Sequence, residues 1–237
     1  VRLGASPHAP YSVSGPLYGM VAGYARERGL PLAVHVAESR DESLLLERAE
    51  GGFAEAWRRR GIPLPPAPGS TPIGWLERHG VLGADTLCIH VVRADEADLA
   101  RLVARGVSVA HCPRSNRWHG HGDAPLRALR ARGLRVGVGT DSAASVSPPD
   151  LLAEARAARE IGGLDADAAL RLVTLDGARA LGLEAEIGSL RPGKWADLRA
   201  VALPGAVDVA RLPDTLLSLG ASAVRLTVLG GRVVFRR

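Results

Sequence analysis

The chain has 237 residues, enough to bury a sizeable core in one domain or two, and 46% of them are hydrophobic. No apolar run approaches the length of a membrane span and no charged, apolar, cleavable leader opens the sequence, so neither membrane insertion nor secretion has support and a cytoplasmic location is expected. The net charge is +5, but the arginines alternate with acids, as in Arg40-Asp41-Glu42, aromatics are 4% and Lys194 is the only lysine, whereas a nucleic-acid surface wants basic clusters interleaved with aromatics.

Strand-like runs occur at 2–5, 32–36, 86–91, 107–111 and 135–139, and several are continuously apolar, as parallel strands buried on both faces are. Helical patterns lie between them. One covers 15–28, opened by Ser14/Gly15-Pro16 and stopped by Gly29. A second covers 41–60, with Leu44, Leu45, Leu46, Phe53 and Trp57 as its apolar residues. The proline-rich loop 61–70 follows and reads as a rim element. His79 closes a helical segment before Gly80, and further helices are predicted at 95–105, 124–132 and from Pro148/Pro149 to 161. Residues 165–183 read as two short helices broken near 174–176. The pattern then changes to strands at 196–202, 223–229 and 232–235, the last two joined by the hairpin signal Gly230-Gly231. Cys88 and Cys112 fall within or beside predicted strands and are expected to be reduced core thiols.

The chemistry collects where apolar runs end. His35 ends Val34-His35 and Glu38 follows on the next turn; together they offer a neutral-imidazole metal ligand and a carboxylate for proton transfer. The structural alternative is a buried histidine with a helix-capping glutamate. His90 ends the next run as a second proton-handling group, or as a core histidine bonded to a backbone carbonyl. Asp141, after Gly137-Val138-Gly139-Thr140, is costly to bury without a partner, and a metal is one partner that fits; a helix cap is the alternative. His8, in Ser6-Pro7-His8-Ala9-Pro10-Tyr11, is a candidate substrate contact or a plain loop histidine. His111-Cys112-Pro113-Arg114-Ser115-Asn116 reads as mainly architectural, with Arg114 a possible substrate contact. His119-Gly120-His121 has the look of a metal pair, but a glycine-rich loop with no strand beneath it makes a poor preorganised site. Repeated strand–helix units with chemistry at the strand ends describe a (β/α) barrel with a metal-dependent hydrolase site.

Taken in order, Ser-Pro-His8-Ala-Pro-Tyr, His35-Val-Ala-Glu38-Ser, His90, His-Cys-Pro-Arg-Ser-Asn116, Gly-Thr-Asp141-Ser and the closing run from Ile187 to Leu198 resemble the amidohydrolase superfamily. Within it the wording is similar to the aminohydrolase branch, nearest to the aminodeoxyfutalosine deaminases and next to the S-adenosylhomocysteine/methylthioadenosine deaminases. The resemblance implies the C-terminal portion of a (β/α)8 TIM-type barrel with about five strands over 1–185, and part of a small β-sandwich domain over 186–237. It implies hydrolytic deamination of a purine nucleoside with release of ammonia, such as 6-amino-6-deoxyfutalosine to futalosine in menaquinone biosynthesis; triazine dechlorination is the chemical alternative. His35 and Asp141 would bind one divalent ion, zinc or iron, while Glu38, His90 and Asp141 handle protons and His8 and Arg114 contact substrate. The family's His-x-His at its first barrel strand has no counterpart here, leaving the metal two protein ligands short. Expected partners are therefore a small-molecule substrate and either a homo-oligomer or a complementing N-terminal segment, with no nucleic acid and no membrane. A non-catalytic barrel fragment is the reading of a different class.

Overall fold

The computed structural model describes residues 3–67 and 69–237. Its first half runs α1 (Gly15–Glu27), β1 (Leu32–Val36), α2 (Arg40–Arg48), α3 (Gly51–Arg59), α4 (Pro72–Arg78), β2 (Thr86–His90), α5 (Glu96–Arg105), β3 (Ser108–His111) and α6 (Pro113–Trp118). The second runs α7 (Leu126–Ala131), β4 (Arg135–Val138), α8 (Leu151–Gly162), α9 (Ala166–Leu172), α10 (Leu175–Ala180), β5 (Leu198–Val201), α11 (Leu212–Ser218), β6 (Val224–Leu229) and β7 (Arg232–Arg236).

The apolar runs pair as one parallel sheet in the order β1-β2-β3-β4, the arrangement of a TIM-type barrel portion. In register, Val34 faces Cys88, Cys88 faces Val109 and Val109 faces Val136. This row is buried against the helices, where it meets Tyr18, Leu46, Leu76, Leu99, Leu102, Leu126, Leu129 and Leu172. Each fully buried leucine contributes about 2 kcal/mol of transfer free energy. The opposite face, with Ala33 and Leu87, lines a cleft of about 1100 Å³. Side-chain alternation in strands makes this division.

Of the run predicted at 2–5, Arg2 lies outside the described residues. Ala5 makes a single parallel bridge to Leu32, so the described barrel sheet has four strands and a bridge where five strands are expected. Pro7 and Pro10, which have no N–H, follow too closely for a ladder to continue. The helix predicted at 41–60 is two. Ala49 caps α2 in the left-handed region and Gly51, at φ +84, restarts the chain; a Cβ there would lie 2.8 Å from Asp41 Oδ1. The His-Cys-Pro-Arg-Ser-Asn stretch continues past its predicted turn into α6, with Pro113 at its first position. Cys88 and Cys112 are both free and buried, and burial pushes each thiol up to about 12.

The second sheet is antiparallel, β5-β6-β7, with Gly230 and Gly231 both at positive φ in the hairpin. The chain between β5 and β6 holds α11, whose Leu217 packs on Ala155, Ala166 and Ala169 of the barrel helices. Among the described residues no helix is long and apolar enough to cross a membrane.

Gly137 in β4 packs directly on α10: a Cβ there would lie 2.8 Å from Gly177 Cα, where backbone must move. Gly137→Ala is expected to lower stability by about 1–3 kcal/mol in urea denaturation. Gly23→Ala, inside α1 with nothing within 4 Å, should instead raise it by about 0.5–1 kcal/mol.

Candidate metal centre

A strand sends successive side chains to opposite faces, so residues from one strand end share a site only if the alternation breaks. It breaks here at Ala37, φ +52 after β1, at His90 and Val91, φ +75 and +52 at the end of β2, and at Asp141, φ +57 beyond β4. None is glycine, and valine in this region is a genuine outlier. Such strain persists where surrounding bonds over-determine it. After β1 those bonds come from Glu42, in the first turn of α2, whose carboxylate accepts from Ala37 N–H at 2.9 Å and Glu38 N–H at 2.8 Å. Val91 N–H and Arg93 N–H add bonds to the carbonyls of Val36 and Ala37.

The result is a cluster. Ligand atoms of His35, His90 and Asp141 lie within 4.8 Å of one another, the one such group among the described residues that could hold a metal ion. Glu38 Oε1 lies 3.6 Å from His90 Nε2. The spacing of His35 and Glu38 is thus resolved by the left-handed turn, and the capping alternative fails, because Ser39 caps α2. Asp141 is no helix cap either; Asp150 caps α8. His90 bonds to the Asn116 side chain rather than to a backbone carbonyl.

Each donor is oriented by a partner. His35 Nδ1 lies 3.1 Å from the His8 carbonyl, which leaves Nε2 as its open nitrogen. His90 Nδ1 lies 2.8 Å from Asn116 Oδ1. Ser115 Oγ donates to Asp141 Oδ2 at 2.6 Å. Burial pushes the Asp141 carboxyl up, but the Ser115 hydroxyl, His90 and the Ser142 and Ser145 groups outweigh it and hold it below its ordinary value. Burial lowers His90 despite Glu38 beside it, so the ring is neutral at neutral pH. His8 is lowered by burial and by His35, and its Nδ1 meets Ser12 Oγ at 2.8 Å. Histidine and carboxylate are donor types that zinc sites use, and His35 with Asp141 supplies two of the three or more protein donors usual at a catalytic zinc. Residue order alone supplies two, His35 and Asp141; the fold brings His90 to the same point.

Arg114 is turned elsewhere. Its N–H donates to Glu154 Oε2 at 3.0 Å and its guanidinium lies 3.6 Å from Glu154 Oε1, inside the barrel wall. Four contributors are not evident from the residue order. Ser115 and Asn116 face the site because α6 is helical, for which Pro113 at the first position is the available signal. Glu42 matches a capping-box position three residues after Ser39. His121 Nε2 lies 3.6 Å from Glu38 Oε1, in a loop pinned by its own N–H to the Asn116 carbonyl at 2.8 Å. His119 stacks on His121 at 5.5 Å, and the pair forms no metal group with its neighbours among the described residues. Tyr11, stacked on Phe53 at 4.3 Å, has its hydroxyl raised by burial and by Glu38.

A model of the amidohydrolase family matches residues 1–234. The 5-methylthioadenosine/S-adenosylhomocysteine deaminase of Teredinibacter turnerae is 36% identical over 203 residues, covering 82% of this chain and 42% of that protein. The aminodeoxyfutalosine deaminase of Deinococcus radiodurans is 36% identical over 194 residues, covering 77% of this chain and 46% of that protein. An adenosine deaminase of Xanthomonas campestris, solved with bound zinc, superposes with a TM-score of 0.81 at 29% identity, over 97% of this chain and 51% of that one. The chain therefore spans about half the length of the relatives it matches.

Burial pushes the Glu42 carboxyl up to about 7, against the N–H bonds from Glu38 and Ala37 that favour its charged form. A raised acid stabilises the fold most below its unfolded value, near 4.5, and loses that contribution as pH rises through 7. Between pH 4.5 and 8 the stability difference should therefore move in favour of Glu42→Gln, on the order of 3 kcal/mol, in paired urea titrations. A constant difference would mean that the two N–H bonds cancel the burial.

Proposed function

The chain belongs to the amidohydrolase family, and from that premise we propose that it carries the proton-handling half of an aminohydrolase that deaminates an adenine-type nucleoside. The observation that carries this reading is the convergence of His35, His90 and Asp141 within 4.8 Å, with Glu38 beside His90. His35 and Asp141 would hold one divalent ion, zinc or iron, which when bound supplies Lewis-acid activation of water. The zinc in the related adenosine deaminase supports the metal dependence. Residues from the half of the relatives' length that this chain does not span would complete the site, either in one polypeptide or as a complementing segment or second subunit.

The residues divide the work. Asp141, with one oxygen held by Ser115, accepts a proton from the attacking water through the other. His90, whose Nε2 faces Glu38, steadies that water by accepting from it. Glu38 carries a proton to the purine ring nitrogen and then to the departing amine, so that ammonia leaves. Protonation of the departing amine is the part of that work which deamination requires and chloride loss does not, and it favours deamination over triazine dechlorination. His8, 4.9 Å ring to ring from His35, borders the substrate. Arg114 contributes through Glu154 rather than by direct contact. Among substrates, 6-amino-6-deoxyfutalosine is the first choice, on the His-Cys-Pro-Arg-Ser-Asn and Ser-Pro-His-Ala-Pro-Tyr wording and on the Deinococcus relative; S-adenosylhomocysteine and methylthioadenosine follow. A cytoplasmic setting fits two buried, unpaired cysteines.

The test is ammonia release from these three nucleosides, with metal content, on the 237-residue chain and on a polypeptide carried to the relatives' full length. The full-length form is expected to bind one ion and release ammonia, and the shorter chain to bind metal weakly. In the active form Glu38→Gln and Asp141→Asn should each lower kcat by about 10²–10⁴-fold. Metal binding with no ammonia from any adenine-type nucleoside would overturn the reading.

A further inference from the structure

Behind His90 lies a buried chain of polar groups that the reaction itself does not use. His90 Nδ1 is 2.8 Å from Asn116 Oδ1, and Asn116 Nδ2 is 3.5 Å from His111 Nδ1. His111 and Asn116 are fully buried and His90 is 1% exposed. His111 Nε2 is buried and has no hydrogen-bond partner among the described residues. An orphan of this kind costs stability, and a leucine in its place would leave no polar atom to satisfy. Its other nitrogen is what the fold uses.

Valence fixes the proton pattern. A side-chain amide has one accepting end and one donating end. With the Asn116 oxygen toward His90, His90 Nδ1 must carry the proton and Nε2 must be a lone pair. The Asn116 nitrogen then needs an acceptor, and His111 Nδ1 supplies it only when the His111 proton sits on Nε2. The orphan N–H is the consequence. Burial pushes His111 down to about 4, so the ring is neutral and can accept. Turning the amide over would reverse the pattern: His90 would carry its proton on Nε2, pointed at Glu38, and could not accept from water.

We propose that His111 is a positioning residue: by accepting from Asn116 Nδ2 it fixes the orientation of that amide and so holds His90 in the tautomer whose Nε2 is free at the site. This deepens the proposed function and rests on it for the use made of the lone pair, though not for the tautomer itself.

The experiment is long-range proton–nitrogen correlation on metal-free, ¹⁵N-histidine-labelled protein at neutral pH, with the His90 signals assigned by their loss in His90→Asn. Wild type is expected to show His90 protonated at Nδ1 and His111 protonated at Nε2. His111→Leu should release the amide and give His90 as a mixture of tautomers. His111→Gln, whose carbonyl can accept from Asn116, should restore the wild-type pattern, which a merely space-filling role for His111 would not produce. In active full-length enzyme the leucine variant should lose about tenfold in kcat with KM little changed, and the glutamine variant should regain most of it. Wild-type His90 protonated at Nε2, wild-type His111 protonated at Nδ1, or an unchanged His90 in His111→Leu would each overturn the proposal, and the first two need no variant to fold. The expected tautomers together with no ammonia release would refute the proposed function and leave this inference standing.

Discussion

The site depends on breaking the two-residue alternation of a strand, and the break is made by left-handed backbone at residues that are not glycine. Ala37, His90, Val91 and Asp141 all take it, each at or just beyond the end of a parallel strand. Each such residue costs on the order of 1–3 kcal/mol, so neighbouring bonds must hold the turn. They do so from helices. Glu42 reaches back from α2 to two consecutive N–H groups, and the turn after β2 hangs from the carbonyls of Val36 and Ala37. The strand ends are thereby tied to one another as well as to their own helices, and Glu38 and His90 meet because their turns share bonds.

A second buried carboxylate repeats the device. Glu154, fully buried in α8, accepts the Arg114 N–H and so fixes the start of α6. That helix is six residues long, yet two of its side chains set the chemistry: Ser115 grips Asp141 and Asn116 grips His90. A leftover remains in the Glu154 Oε1 and Arg114 Nη1 atoms, which face each other at 3.6 Å, buried and without a hydrogen bond. The ion pair is worth less to stability than its closeness suggests, because the Glu154 charge is fully desolvated while the Arg114 side chain stays 31% exposed; its value lies in the position of α6.

The two sheets are unequal. Side chains of the parallel sheet interleave with helices on one face, while β7 of the antiparallel sheet shows Val233, Val234 and Phe235 to solvent, each about half exposed. Three strands make a small sheet with little to bury. Its anchorage comes from α11, through Leu217 and the Arg159–Asp214 ion pair at 2.7 Å, so the barrel helices carry the small sheet.

The sequence by itself determined where four parallel and three antiparallel strands lie to within a residue or two, and that His35, Glu38, His90 and Asp141 stand at or just beyond the ends of the parallel ones, because apolar runs and their polar stops are local facts; the run at 2–5 became a single bridge. It also determined the family, since the ordered motifs are written in the chain. It did not determine that 41–60 is two helices, which turns on the left-handed cap at Ala49 and on Asp41 crowding Gly51 from ten residues away. Nor did it determine that Ser115 and Asn116 serve the site, that Arg114 is taken by Glu154, or that His121 comes to Glu38 from a loop of glycines. Only the tertiary structure decided those, and it brought His90 within 4.8 Å of His35 and Asp141. The physical reason is the same throughout: a residue's type and spacing fix what it can bond to, but the bond itself is to whatever the fold places across the gap.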